Sequence, residues 1–254
     1  MLRVVITGAS SGIGAALARH YAGRGAVLGL IARRQTALAG VAADLSVPVR
    51  IYPLDVRDGA ALKAAAQDFI ACHGSPDIVI ANAGVSVGTL AECAADLDAF
   101  REVIDINLIG MVRTFQPFIA AMRAARRGTL VGIASVAGFR GLPGAAAYSA
   151  SKAAAVSYLE SLRVELRASG IGVITICPGY IATPMTAQNP YPMPFILSAE
   201  AAASLIAGIV RRGKTFAVIP WQMALLARVL GILPNWVYDG LFSRAPRKPR
   251  RPRG

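Results

Sequence analysis

Tyr148 and Lys152 stand four residues apart, with Ser149, Ala150 and Ser151 between them. On a helix, positions i and i+4 share a face, so phenol and ammonium would point the same way. An unperturbed phenol titrates near pH ~10 and is a poor proton shuttle at neutrality. A cation beside it favours the phenolate and lowers that value. The pair is therefore a candidate acid/base centre that needs no histidine, metal or thiol. Tyr-x-x-x-Lys also occurs on solvated helix faces, so its meaning depends on the elements that position it.

Those elements begin at the N-terminus. Residues 2–6 form a β-branched apolar run that reads as a buried strand. Thr7-Gly8-Ala9-Ser10-Ser11-Gly12-Ile13-Gly14 follows, then a helical pattern over 15–24. Strand, glycine turn and helix form the context in which such a motif binds a dinucleotide. Gly8 permits the tight turn, and Gly12 lets the backbone approach a pyrophosphate. The helix N-terminus at Ile13 and Gly14 offers free N–H groups. The second strand, 27–32, ends in Arg33-Arg34, roughly 20 residues after the glycine turn. An acid there would take the ribose hydroxyl of NAD. Two guanidiniums suit a ribose phosphate instead, so NADP(H) is expected over NAD(H).

Further along, 35–44 reads as a helix and 49–53 as a strand ending in Leu54-Asp55-Val56. Asp55, at that strand's C-terminal end, could accept from an adenine amine. A helix over 60–72 precedes a strand over 77–81 and the small-residue turn Asn82-Ala83-Gly84. A nucleotide could lie against that turn. Asn82 could equally bridge neighbouring strands, and both roles are expected. One long helical period covers 97–122, with the polar Asn107 on an apolar face, where it must find partners. A strand over 129–134 has Ser135 at its tip. The tyrosine helix follows the loop 136–147, and a sixth strand over 172–177 runs into Pro178-Gly179. A helix over 198–211 with Ser198 as N-cap and a last strand over 216–219 complete the alternation. The pattern implies an α/β fold with one doubly wound parallel sheet.

In these residues the chain resembles the short-chain dehydrogenase/reductase family, from the first strand to about residue 220. The resemblance rests on Thr7-Gly8-x-x-x-Gly12-x-Gly14, Asp55, Asn82-Ala83-Gly84, Asn107, Ser135, Tyr148-x-x-x-Lys152 and Pro178-Gly179. It implies a single Rossmann-type domain and hydride transfer between NAD(P)H and a carbonyl or alcohol. It further implies that Tyr148 moves the proton and that Lys152 lowers its pKa and meets the nicotinamide ribose. Ser135 would donate to the substrate oxygen, and Asn107 would hold a water behind Lys152. Ile181 and Thr183 would touch the nicotinamide carboxamide.

Composition narrows the partners. The 254 residues are 55% hydrophobic and 16% charged, with net charge +13. The three cysteines, Cys72, Cys93 and Cys177, show no paired spacing. Buried thiols in a reducing compartment are expected, without disulfide or metal site. The start, Met1-Leu2-Arg3-Val4, shows no signal peptide pattern, so a cytoplasmic protein is expected. Residues 181–197 carry Met, Pro and aromatics without a charged side chain. They suit an apolar, lipid-like substrate, or a loop packed on a neighbouring subunit.

Three segments follow: a catalytic domain over 1–220, an apolar stretch over 221–242, and a basic, Pro-rich tail over 243–254 expected to be disordered. Arg228, Pro234 and Asp239 interrupt any clean membrane span. The apolar stretch and tail could lie on the inner membrane face, dock on their own domain, or pair subunits. A homodimer or homotetramer through 97–122 and 147–168 is expected, and nucleic acid is not. Two other functions stay open: a non-catalytic nucleotide or redox sensor, and a membrane scaffold.

Overall fold

The computed structural model describes residues 1–250. A seven-stranded parallel sheet forms the centre. Its strands are β1 (Arg3–Thr7), β2 (Val27–Ala32), β3 (Val49–Pro53), β4 (Ile78–Ala81), β5 (Gly128–Ile133), β6 (Ile171–Pro178) and β9 (Phe216–Ile219). The spatial order is β3-β2-β1-β4-β5-β6-β9. A short second pairing joins β7 (Ile181–Ala182) to β8 (Leu197–Ser198). β2 and β4 are buried along their whole length, as expected of central parallel strands covered on both faces. β3, at one edge of the sheet, is partly exposed, with Arg50 and Tyr52 paired to Asp68.

Helices cover both faces. On one side α1 (Gly12–Ala22), α2 (Gln35–Ala43) and α7 (Ala199–Arg211) bury Leu17, Leu38 and Ile206 against Ile6, Leu30 and Ile176. On the other, α3 (Gly59–His73), α5 (Gly110–Ala125) and α6 (Ala146–Glu165) bury Phe69, Phe115, Phe118 and Leu159 against Val5, Val79 and Leu130. A side chain at Gly132 of β5 would overlap Leu159, so its absence sets how closely α6, the tyrosine helix, approaches the sheet. Ser198 caps α7 through Ala201 N–H at 3.0 Å, as its sequence position predicts.

Three expectations change. The helical period over 97–122 is not one α-helix. α4 (Leu97–Ile104) passes into α5 through a π turn at Asp105–Ile109, which contains Asn107. Cys72, in the last turn of α3, is exposed, and Cys93, in the loop before α4, is half-exposed, so of the three only Cys177 is a buried thiol. The apolar stretch after 220 is two helices, α8 (Trp221–Ile232) and α9 (Asn235–Phe242), broken at Leu233-Pro234.

These two helices dock on the loop before α6. Arg140 donates to the carbonyls of Leu230 and Leu233 at the C-terminal end of α8, and its guanidinium lies 4.5 Å from the Tyr238 ring centroid. Tyr238 donates to the Gly141 carbonyl. By length and composition Ala94–Ala125 could cross a membrane. Phe115, Phe118 and Met122 are nevertheless buried against the sheet, as in a core helix.

Candidate active site

The strand order reverses between β1 and β4, and a crevice opens beyond their C-terminal ends. Gly8 and Gly12 take φ of +69° and +53°, which side chains strongly disfavour. A Cβ on Gly14 would overlap the Gly8 carbonyl, and one on Gly12 would lie 2.9 Å from Thr183 Cγ2. α1 therefore meets the crevice as bare backbone. Its N-cap, Ser11, makes no side-chain cap, and its first turn has no acid. The uncompensated N–H groups form an anion cradle. The site thus fits a dinucleotide pyrophosphate by its own geometry.

Every candidate catalytic or cofactor-binding residue lines this one crevice, apart from Gly14 and Asn107. Arg34 reaches across the glycine turn, with Nη2 donating to Ser11 Oγ at 3.0 Å and Ser10 Oγ at 3.3 Å. Arg33 lies 3.7 Å from Asp55 and is half exposed. The Asp55 carboxylate accepts from the Arg57 backbone at 2.9 Å and side chain at 2.8 Å. Burial alone would push the Asp55 carboxyl up. The bonds from Arg57 and the charges of Arg57 and Arg33 outweigh it and hold the group below its ordinary value. The Asn82 amide donates to the carbonyls of Thr7 and Gly8 at 3.0 and 3.4 Å, and the Asn82 N–H reaches Thr7 Oγ1 at 3.1 Å. Asn82 is thus a bridge between β1 and β4 that also faces the crevice.

Asn107 is fully buried behind the crevice. Its Oδ1 accepts from Val85 N–H at 2.8 Å, and Nδ2 donates to the Val85 carbonyl at 2.9 Å and to Ser151 Oγ at 3.0 Å. The side chain fastens the loop after β4 to α6, and both amide hydrogens are engaged.

Tyr148 and Lys152 lie in the first two turns of α6 and face the crevice, as their spacing predicts. Lys152 Nζ is 5.8 Å from the Tyr148 ring centroid and donates to the Ile133 carbonyl at 2.8 Å. Burial pushes its ammonium down to about 8. The phenol goes the other way: burial pushes Tyr148 up, opposed by a hydrogen bond with Ser135. The expected lowering by the lysine does not dominate in this state, because desolvation disfavours the phenolate and the ammonium alike. Ser135 is buried at the tip of β5, with Oγ 3.4 Å from the Pro178 carbonyl and accepting from Ala137 N–H at 3.1 Å.

Some participants carried no sequence signal strong enough to single them out. Thr7 Oγ1 and Ser151 Oγ organise the strand tip and Asn107. Thr186 Oγ1 accepts from Thr183 N–H at 3.0 Å and donates to the Ile181 carbonyl at 2.6 Å, shaping a turn that places Pro184 and Met185 on the crevice wall. Only the Thr-x-x-Thr spacing hinted at this turn. Among the described residues, no group of three or more His, Cys, Asp or Glu side chains could hold a metal.

Comparisons with known proteins agree with this geometry. A family model described as short chain dehydrogenase matches residues 3–192. An uncharacterized oxidoreductase of Myxococcus xanthus is 39% identical over 94% of this chain and 96% of its own. The fold superposes, at a TM-score of 0.83 and 25% identity, on a short chain dehydrogenase/reductase from Burkholderia phymatum in complex with NAD, over 100% of this chain and 98% of that one. An alcohol dehydrogenase from Thermococcus sibiricus, complexed with 5-hydroxy-NADP, superposes at a TM-score of 0.78 and 26% identity, over 86% and 96% of the two chains. With the nucleotide crevice and the serine, tyrosine and lysine that line it established, these matches mean that the chain belongs to the short-chain dehydrogenase family and is an NAD(P)-dependent oxidoreductase.

Proposed function

We propose that the protein moves hydride between NADP(H), in preference to NAD(H), and the carbonyl or secondary alcohol of an apolar, lipid-like substrate. The observation that carries this reading is the gathering of Ser135, Tyr148 and Lys152 in the one crevice that Arg33 and Arg34 also line. The dinucleotide supplies the hydride. The Tyr148 hydroxyl gives a proton to the carbonyl oxygen in reduction and removes one from the alcohol in oxidation. Ser135 donates to the same oxygen and stabilises its developing charge. Lys152, fixed on the Ile133 carbonyl, meets the nicotinamide ribose, keeps a positive charge near the phenol and favours its ionised form. Because the Asn107 amide is engaged with Val85 and Ser151, a water relay behind Lys152 would hang on the Asn107 main chain.

Support for an apolar substrate comes from the segment over 181–197. Met185 and Pro184 line the crevice, and Phe195 and Ile196 of the same segment are exposed. Tyr191 of this segment is close enough to Tyr148 for the two phenols to interact. The test is NADPH oxidation with ketones and aldehydes of increasing chain length. Turnover with kcat/KM rising with length is expected. No turnover with any member refutes the reaction, and a fall with length refutes the apolar site.

A peripheral membrane contact, on the cytoplasmic face of the inner membrane, belongs to the same proposal. Trp221, Ile232 and Trp236 are more than two-thirds exposed on α8 and α9, Leu225 and Leu241 on the same helices are also exposed, and so are Arg228 and Arg244. An apolar row with arginines fits an anionic bilayer surface. The full chain should float with vesicles of anionic lipid and not with zwitterionic ones. Ile232→Glu with Trp236→Glu should abolish flotation. A wild-type chain that stays in the pellet fraction would sink the idea. Self-association as a dimer or tetramer through α4–α5 and α6 is proposed on the exposure of Leu97 and Val164.

A further inference from the structure

The segment after α9, expected to be disordered, runs back over the domain across residues 243–250 without regular secondary structure. It is fastened twice. Arg250 meets Asp96 as a fork, with Nη2 to Oδ1 at 2.7 Å and Nε to Oδ2 at 2.9 Å. The Pro249 carbonyl accepts from Gly88 N–H at 3.0 Å. The surfaces it crosses have no room for side chains. A Cβ on Gly88 would overlap the Lys248 carbonyl, and one on Gly144 would lie 2.8 Å from Arg247 Cβ. Gly88 and Gly144 belong to the loops after β4 and β5, which lead to Asn107's anchor and to Tyr148.

Between these contacts Lys248 turns inward. Its ammonium lies 5.8 Å from the centroid of the Tyr148 ring, the same distance as that of Lys152. Lys152 is satisfied by a carbonyl. Lys248 Nζ has no hydrogen bond or ion pair among the described residues, while its neighbour Arg250 takes the nearby carboxylate. Burial pushes the Lys248 ammonium down to about 8. A cation held largely out of water without a counter-charge is costly, and it is relieved when an anion is brought to it.

We propose that Lys248 determines specificity: its ammonium binds a carboxylate on the substrate, a few bonds from the carbon that reacts at Tyr148, and residues 244–250 form the outer wall of the substrate site. This rests on the tyrosine-centred reaction proposed above and sharpens it. The substrate becomes an amphipathic oxo or hydroxy acid, its apolar body under Met185 and Phe195 and its acid at the strap.

The test compares α-oxo and γ-oxo octanoic acids, each with its methyl ester, as substrates with NADPH. In the wild type, kcat/KM for one acid should exceed that for its ester by about tenfold or more, the scale of one charge-assisted hydrogen bond. Lys248→Gln should remove that advantage by raising KM for the acid alone, while Lys248→Arg retains most of it. Arg250→Gln, which frees the strap without touching Lys248, should weaken acid selectivity in the same direction. An ester preferred by the wild type, or acid and ester slowed equally by Lys248→Gln, overturns the assignment. If no compound turns over, the reaction reading has failed, and affinity for the NADPH complex, read by quenching of NADPH fluorescence, still judges Lys248. Equal affinity for acid and ester, or no binding of either, overturns it there.

Discussion

Tyr148→Phe should lose turnover by roughly two to four orders of magnitude, the range in which a positioned acid/base contributes. Affinity for NADPH should survive nearly unchanged. The substitution removes one hydroxyl and keeps the ring that packs at the start of α6, with Lys152 and Lys248 both 5.8 Å from its centroid. The nucleotide end of the crevice does not depend on it. Gly8, Gly12 and Asn82 hold their places through backbone geometry and the Asn82 bonds to Thr7 and Gly8. The expected result is therefore a split: NADPH binding by fluorescence intact, and stopped-flow hydride transfer lost. Serine cannot stand in as the acid, because an alkyl hydroxyl is a far weaker acid than a phenol; Ser135 can donate a hydrogen bond but not give up its proton. Retained turnover in the phenylalanine variant would remove Tyr148 from the chemistry.

The parts of this site that sequence made legible are those fixed by local pattern. β2 is a fully buried apolar run bounded by Ala26 and Arg33, and its observed limits are those read from the sequence. Tyr148 and Lys152 share a helix, so their four-residue spacing sufficed to place them together. What escaped depends on contacts distant in sequence. A π turn at Asp105–Ile109 hardly disturbs the apolar period of its helix. It accompanies the Asn107 contacts with Val85 and Ser151, 22 and 44 residues away. The tail over 243–250 looked unattached by composition. Its fastening couples Arg250 to Asp96 across 154 residues, with no local signal. Spacing also could not foresee that burial would work against the lysine's pull on the phenol.

NADPH should be used more efficiently than NADH, and Arg33 and Arg34 should account for the difference. Arg34 is held over the glycine turn by Ser10 and Ser11, next to where a ribose leaving the anion cradle must pass. Arg33 is half exposed, and its contact with Asp55 at 3.7 Å is loose enough to give up for a stronger anion. Asp55 loses little by that exchange, since Arg57 grips both its oxygens. A hydrogen bond to a charged group contributes about 1.5–3 kcal/mol, so each guanidinium should be worth roughly 10- to 100-fold toward a ribose phosphate. Arg33→Gln and Arg34→Gln should each lower kcat/KM for NADPH by such a factor and leave NADH nearly unaffected. Arg33→Asp, which places an acid at the end of β2, should turn the preference toward NADH. The ratio of the two dinucleotides is the informative quantity. The reacting ring, the pyrophosphate cradle and the tyrosine wall are common to both measurements, so damage to folding or chemistry cancels. Only the group meeting the two arginines differs, and a wild-type ratio favouring NADH would show that these arginines serve the surface rather than the cofactor.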